Sequence, residues 1–361
     1  MLNEGYKLAR TPAGGWPDAA DFEWFEADAP EPLKGQCVTR TIYLSLDPYQ
    51  WGRRRSGVEK PGDVCHGRTV SQVITSRHPD FREGDYLFNT NGWQRIGATG
   101  EGVSFFNYMM PRKLDPNAAP ISTALGVLGM LGLTAYSGLN VQCVPKAGET
   151  VVVSAASGGV GQVAGQLAKI AGCRVVGIAG KNEKCRFLTS ELGFDASVSH
   201  LSSNLEEELQ AACPDGVDIY FENVGGKVYS AVLPLLNRQS RITVCGMISQ
   251  YGNTDGRDAR QVWEDEGAPF FERQQVQVNG LFVGNFVASH QQEFLSRMTD
   301  WVGDGLIKYK EHLWQDLRKA PAAFADMLRG GNFGKTLVGV GTDPTSSQLV
   351  STRRAGTNIL G

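Results

Sequence analysis

Residues 150–161 constrain this chain more than any other stretch. Thr150, Val151, Val152 and Val153 are β-branched in a row, which suits a strand buried on both faces. A turn of small residues follows and opens into the helical spacing Val163, Leu167, Ile170. Strand, tight turn and helix in this order carry Ala156, Gly158 and Gly161 at the spacing of the dinucleotide fingerprint G-x-G-x-x-G, with alanine in the first place. Glycines let such a backbone turn sharply and approach a pyrophosphate, which the unpaired N–H groups of a helix start attract. Ala156, Gly158, Gly159, Val160 and Gly161 are therefore the expected phosphate cradle, against the alternative of an ordinary βα turn.

A turn of this kind works inside a parallel sheet, and the neighbouring sequence supplies one. Strands are expected at 150–154, 173–178, 195–198, 217–221, 240–245 and 276–283, with helices near 159–171, 183–192, 204–212 and 226–236. Six strands make the two mononucleotide-binding halves of a doubly wound α/β sheet. Before it, short alternating runs such as 37–44, 69–75 and 86–88, punctuated by Gly, Pro and Asp, read as a β-rich, barrel-like domain. Residues 122–139 read as a helical stretch rich in small residues. After position 290 a helix to about 303, a strand near 307–314, a helix at 317–328 and a strand at 336–340 are expected to return to the first domain. The expected division is 1–120 with 305–341 as one domain, 121–304 as the nucleotide-binding domain, and 342–361 as a mobile tail with little apolar periodicity. At 361 residues the chain is long enough for two cores.

The end of the second parallel strand selects the cofactor. A site preferring NAD places an acid about 20 residues beyond the fingerprint, on the ribose 2′-hydroxyl. Here residues 175–180 read Val-Val-Gly-Ile-Ala-Gly, and Lys181 and Lys184 follow. Two ammonium groups without a carboxylate favour a 2′-phosphate, so NADPH is the expected cofactor. The plainer alternative is two solvated lysines at a helix start.

Metal ligands are not apparent. The seven cysteines are scattered without a CxxC pair, the five histidines stand far apart, and the one adjacent couple, Cys65 and His66, is followed by Gly67 and Arg68. No metal is therefore expected. Dehydrogenation of an alcohol then lacks a Lewis acid, whereas reduction of a polarised C=C bond needs only a hydride donor and a hydrogen-bond donor for the developing enolate. A net charge of −3 with 20% charged residues points to neither nucleic acid nor an anionic membrane. Without a leader or an apolar run of spanning length, and with cysteines that suit a reducing compartment, a cytoplasmic protein is expected.

Further motifs carry a resemblance. They are Leu46–Asp47–Pro48–Tyr49, Leu128–Gly129–Met130 with Leu133–Thr134–Ala135–Tyr136, the run from Ala155 to Gly161, Gly180 with Glu183–Lys184, Glu222–Asn223–Val224–Gly225–Gly226, the run from Cys245 to Tyr251, and Gly331–Asn332–Phe333–Gly334–Lys335. With them the chain resembles, over roughly residues 5–340, the zinc-independent medium-chain dehydrogenase/reductases. Within these it is similar to the prostaglandin reductase, leukotriene B4 dehydrogenase and NADPH-dependent curcumin reductase group. The resemblance implies a GroES-like barrel domain beside a Rossmann domain with a six-stranded parallel sheet. It implies NADPH-dependent reduction of α,β-unsaturated carbonyl compounds, and a homodimer through the edge strand 276–283. Quinone reduction on the same scaffold, or a non-catalytic NADPH-binding module, stays open beside it.

Carried over by position, the resemblance puts the pyrophosphate on Gly158 to Gly161, the 2′-phosphate on Lys184 after Gly180, and His200 close by. It puts Asn223 at the ribose, Cys245 and Gly246 beside the nicotinamide, and Phe282, Val283 and Gly284 after the sixth strand. Asn332 would reach in from the returning segment. Tyr49 and Tyr251 would line the substrate side as the catalytic hydroxyls, with Tyr251 on the enolate oxygen; simple packing is the alternative for each. Trp51 stands where relatives carry a cation and is expected to face substrate. Residues 254–275, with Trp263, Phe270 and Phe271, read as an aromatic lid or a solvated insert. The run Arg53–Arg55 reads as a solvated turn or a site for a phosphate-bearing acyl-CoA.

Overall fold

The computed structural model describes residues 1–103 and 110–346. Its elements are, in chain order, β1 (Leu2–Leu8), β2 (Phe22–Asp28), β3 (Gln36–Ser45), α1 (Tyr49–Arg55), β4 (Thr69–Ser76), β5 (Tyr86–Asn89), β6 (Ile96–Gly100) and β7 (Arg112–Leu114). The middle of the chain forms α2 (Met130–Tyr136), β8 (Thr150–Val153), α3 (Gly161–Ile170), β9 (Arg174–Ala179), α4 (Asn182–Ser190), β10 (Ala196–Ser199), α5 (Leu205–Ala212), β11 (Val217–Glu222), α6 (Gly226–Val232), β12 (Leu236–Val244), α7 (Ala259–Gln274), β13 (Gln277–Gly280) and α8 (Gly284–Gly303). The chain closes with β14 (Glu311–Gln315), α9 (Ala320–Leu328) and β15 (Lys335–Gly339). It divides into two compact units: residues 1–129, 311–332 and the described residues from 336 onward, and residues 130–310 with 333–335.

The first unit is built around β3, which pairs antiparallel with β4, β6 and β15. Its ladder with β4 slips between Val38 and Thr39 and again between Thr41 and Tyr43, and these irregularities bend the strand. The first half therefore meets β6 and the second half meets β15. Between the strands lies a buried polar web. Asn89 Nδ2 donates to Thr39 and Thr99 at 3.0 and 2.8 Å, and Asn91 Nδ2 donates to Thr41 and Ser71 at 3.0 and 3.1 Å. A network so connected tolerates one register only, because any slip would leave buried amides unpaired.

The second unit is a sheet of six parallel strands in the order β10-β9-β8-β11-β12-β13. β8 is flanked by β9 on one side and β11 on the other, so the order reverses at β8 and leaves a crevice at the carboxyl ends of the strands. One face is sealed by Val152, Val176, Ile178, Tyr220, Val228 and Ile242, all nearly inaccessible.

Four sequence expectations change in detail. Residues 122–139 are not one helix: a 3-10 turn ends at Gly126, α2 begins at Met130, and the path continues as a π-helix over Ser137–Cys143. β12 starts at Leu236, ahead of the expected 240, because Gln239 takes a left-handed φ of 60° and absorbs a break in the ladder with β11. β13 covers Gln277–Gly280 in place of 276–283, and α8 begins at Gly284. The third expectation thus read as strand what is the approach to a helix. The expected tail keeps structure at its start: Tyr43 donates to Asp343 at 3.0 Å, and Thr345 is buried. Residues 347–361 lie outside the described residues.

Candidate active site

The carboxyl ends of the second unit's strands bring together most of the residues singled out for a cofactor. Between β8 and α3 the chain turns with Ala155 at a φ of 47°, and Ala156 N–H bonds to Ile178 O at 2.9 Å, locking the turn onto β9. A side chain at Gly161 is excluded: its Cβ would lie 2.4 Å from Ala155 O. No side chain caps α3, where Val160 is the N-cap, and Gln162 N–H and Val163 N–H bond back to Gly158 O and Val160 O at 3.1 Å. A helix start without a side-chain cap, behind a turn of small residues, fits a pyrophosphate. The segment 333–335 lies on the same turn: Gly334 N–H donates to Ser157 O at 3.1 Å. Asn332 is the residue just before that segment.

At the end of β9, Lys181 is the N-cap of α4 and Lys184 lies in its first turn, buried to 5% exposure. His200 follows β10 and donates its N–H to Ala179 O at 2.8 Å. Its ring stands over Gly180, with Nε2 3.3 Å from where a Cβ would sit, so a side chain there would crowd it. Burial, and then the charges of Lys227 and Lys184, push the pKa of the His200 imidazole below its ordinary value. Lys227, in the first turn of α6, is a charge that the reading of the β9 end alone does not find, because it comes from a different strand end. An open groove of about 490 Å³ lies alongside, lined by Gly180, Lys181, Asn182, Ser199 and Ser202 and by the carboxylate of Glu208.

Toward the sheet's middle, Asn223 Nδ2 donates to Ser154 O at 2.7 Å and ties the end of β11 to the cradle. Glu222 behind it is fully buried and accepts from Ser154 Oγ, Val224 N–H and Gly225 N–H at 3.0, 2.7 and 3.1 Å. Burial raises its carboxyl's pKa, and those donors oppose the shift. Cys245 follows β12, its thiol pushed up to about 12 by burial and then by Glu222, so it remains a thiol. Tyr251 ends a short turn and folds back: its hydroxyl lies 3.0 Å from where a Gly246 Cβ would be. Burial and the neighbouring Cys245 raise that phenol's pKa, with Met247 N–H opposing. Phe282 is 53% exposed, Val283 is buried, and Gly284 opens α8.

The first unit gathers a different set. Tyr49 begins α1, and its hydroxyl is 2.8 Å from His66 Nε2. Arg68 lies over the Tyr49 ring at 5.6 Å and donates to Asp47 at 2.8 Å, while Asp47 also accepts from Ser45 at 2.6 Å. Burial, then Arg53, Arg68 and Arg54, drive the His66 imidazole down to about 3.

Two expectations fail here. Trp51 does not face a substrate: it is 0% exposed, and its indole N–H donates to Gly15 O at 3.0 Å. Nor is the run Arg53–Arg55 a solvated turn, because Arg54 is fully buried against Glu59 at 2.9 Å and beneath Phe22, Trp93 and Phe324. The aromatic lid also changes character. Trp263 of α7 is 3% exposed and stacks on Tyr229 at 4.6 Å, inside the core of the second unit.

The family described as zinc-binding dehydrogenase matches residues 159–302, and that described as the N-terminal domain of oxidoreductase matches residues 5–106. The NADPH-dependent curcumin reductase of Escherichia coli is 41% identical over 350 residues, 94% of this chain and 98% of that protein. This chain belongs to the zinc-independent medium-chain dehydrogenase/reductases. It is an oxidoreductase. The NADP(+)-dependent 2-alkenal reductase of Nicotiana tabacum is 36% identical over 338 residues, 90% of this chain and 94% of that protein. The crystal structure of CurA from Vibrio vulnificus in complex with NADPH superposes with a TM-score of 0.85 at 40% identity, covering 94% of this chain and all of that one. The zinc in the first family's description finds no matching donor set: among the described residues no three His, Cys, Asp or Glu gather to hold a metal ion. Burial holds the Cys65 thiol up at about 12, far from a ligand thiolate.

Proposed function

We propose that the protein reduces the C=C bond of α,β-unsaturated carbonyl compounds with NADPH. The observation that carries the cofactor is the buried Lys184, which with Lys227 acts on His200 beside Gly180, at the end of a strand whose residues 175–180 carry no acid. When bound, NADPH supplies the hydride, which adds to the β-carbon. The relatives' names, curcumin reductase and 2-alkenal reductase, support the substrate class.

Tyr251 is proposed to hold the carbonyl oxygen as it becomes an enolate. Its phenol stays protonated at neutral pH, and a hydroxyl aimed there stabilises the transition state more than the neutral ketone. Tyr49 is proposed as the second hydroxyl, and the roles of Asn223, Cys245, Gly246, Phe282, Val283, Gly284 and Asn332 around the cofactor are proposed as the resemblance implies. Following NADPH oxidation with an aliphatic enone, with a benzoquinone and with neither tests the reading. Turnover with the enone supports it; turnover with the quinone alone overturns it.

A homodimer belongs to this proposal. β13 is the edge of the parallel sheet, and Phe282 stands exposed just after it. An open edge beside an exposed aromatic is a pairing surface. Light scattering at dilution is expected to give twice the chain mass, and a monomer would contradict it. All seven cysteines are free thiols, which suits a cytoplasmic setting. Among the described residues no helix is long and apolar enough to cross a membrane.

A further inference from the structure

We infer that Glu222 is a positioning residue: its side-chain oxygen fixes two peptide planes whose far ends hold the turn that carries Tyr251. The inference rests on the enone-reductase reading above and deepens it. Every residue in it belongs to the second unit.

Three donors converge on one atom. Glu222 Oε1 accepts from Ser154 Oγ at 3.0 Å, from Val224 N–H at 2.7 Å and from Gly225 N–H at 3.1 Å. The last two N–H groups belong to the peptides 223–224 and 224–225, and a trans peptide points its C=O opposite to its N–H. Those carbonyls are occupied on the other side. Asn223 O accepts from Ile248 N–H at 3.1 Å, and Val224 O accepts from Ser249 N–H at 3.0 Å and from Ser249 Oγ at 2.6 Å. Each plane is thus gripped at both ends, by Glu222 on one side and by residues 248–249 on the other.

These planes lie between β11 and α6, where Gly225 and Gly226 take left-handed φ values of 75° and 54°. Backbone of that kind rotates easily unless its polar groups are held, and a buried acceptor holds them here. The facing turn is bound to the same residue through the main chain, because Cys245 N–H and Gly246 N–H donate to Glu222 O at 2.9 and 3.2 Å. Tyr251 N–H donates to Ile248 O at 3.2 Å, so the phenol's backbone rides on the residue that the first plane holds. Asn223 is fixed separately: its N–H donates to Ser154 Oγ and its Nδ2 to Ser154 O, each at 2.7 Å. Loss of the Oε1 acceptor therefore frees the two planes and displaces the Tyr251 turn, while Asn223 stays tied to Ser154.

What this arrangement needs is an acceptor oxygen in one place. Glutamine keeps it: turning the amide nitrogen toward three N–H and O–H donors would set donor against donor, so the amide oxygen faces them. Aspartate keeps the charge and, being a methylene shorter, loses the reach.

Glu222→Gln and Glu222→Asp, compared with wild type on an aliphatic enone at saturating NADPH, separate place from charge. We expect Glu222→Gln to stay within about threefold of wild-type kcat and Glu222→Asp to lose roughly tenfold to a hundredfold, as a misplacement of about 1 Å does. The NADPH dissociation constant, measured by calorimetry, should move by less than about threefold in both, since Asn223 keeps its own hydrogen bonds. Equal losses of turnover in the two variants, or a Glu222→Asp variant as fast as wild type, would overturn the inference. So would a parallel loss of NADPH affinity and kcat in Glu222→Asp, which marks a general defect of the fold. Amide hydrogen exchange in the free wild-type protein provides an arm independent of turnover and of variant folding. Rotation of one plane opens both of its ends, so the amides of Val224 and Ile248 should show protection within about threefold of each other, and likewise Gly225 and Ser249. Fast exchange at Ile248 and Ser249 beside slow exchange at Val224 and Gly225 overturns the coupling. A wild type that leaves the enone unreduced removes the role of Tyr251 together with the enone reading, and the exchange comparison still decides the two planes.

Discussion

Replacing Lys184 by methionine isolates one charge at the cofactor's far end. The side chain is 5% exposed, so its stem packs as a hydrophobe would, and methionine conserves most of that volume. What disappears is an ammonium that, with Lys227, already depresses the His200 imidazole. A hydrogen bond between charged partners contributes about 1.5–3 kcal/mol, and each 1.4 kcal/mol is about tenfold in a dissociation constant. Lys184→Met should therefore weaken NADPH binding by roughly ten- to a hundredfold while changing NADH binding by less than about threefold. The His200 pKa should rise in the variant, since a neighbouring positive charge that lowered it is gone. Calorimetric titration with both cofactors, with the His200 titration followed by NMR, measures these together. Equal losses with NADPH and NADH would refute the assignment of the 2′-phosphate to this lysine, and an unmoved His200 would refute the proximity on which it stands.

Two further outcomes follow from burial. Trp263→Ala should cost about 3–5 kcal/mol of stability, as a large aromatic leaves the core; a variant that keeps its stability in denaturant titration but loses turnover would restore the lid. Because the folded His66 titrates near 3 and an unfolded histidine near 6.5, the unfolded state alone takes this proton as the pH falls between them. Stability from this group is thus full above about 6.5 and falls by about 1.4 kcal/mol per pH unit below it. In His66→Gln the slope of unfolding free energy between pH 6 and pH 4.5 should flatten by about one proton, and parallel slopes would contradict the burial of the neutral ring.

Local rules made half of this molecule readable. The strand, turn and helix around Gly161 depend on residues within a dozen positions and are found where the sequence placed them. What escaped reading depends on contacts between distant positions. Trp263 looked like lid because α7 carries charges and Pro269, and only its stacking on Tyr229, 34 residues earlier in the chain, makes it core. Arg54 looked solvated inside an Arg-Arg-Arg run because the three aromatic rings that enclose it come from β2, from the loop before β6 and from α9. His66 illustrates the same limit from the side of chemistry. In the sequence it stands beside Cys65 without a third ligand. Its neighbours in space are Arg53, Arg54 and Arg68 with Asp47 as the opposing charge, and that excess of positive charge, together with burial, keeps the ring neutral, which no spacing of ligand residues could reveal.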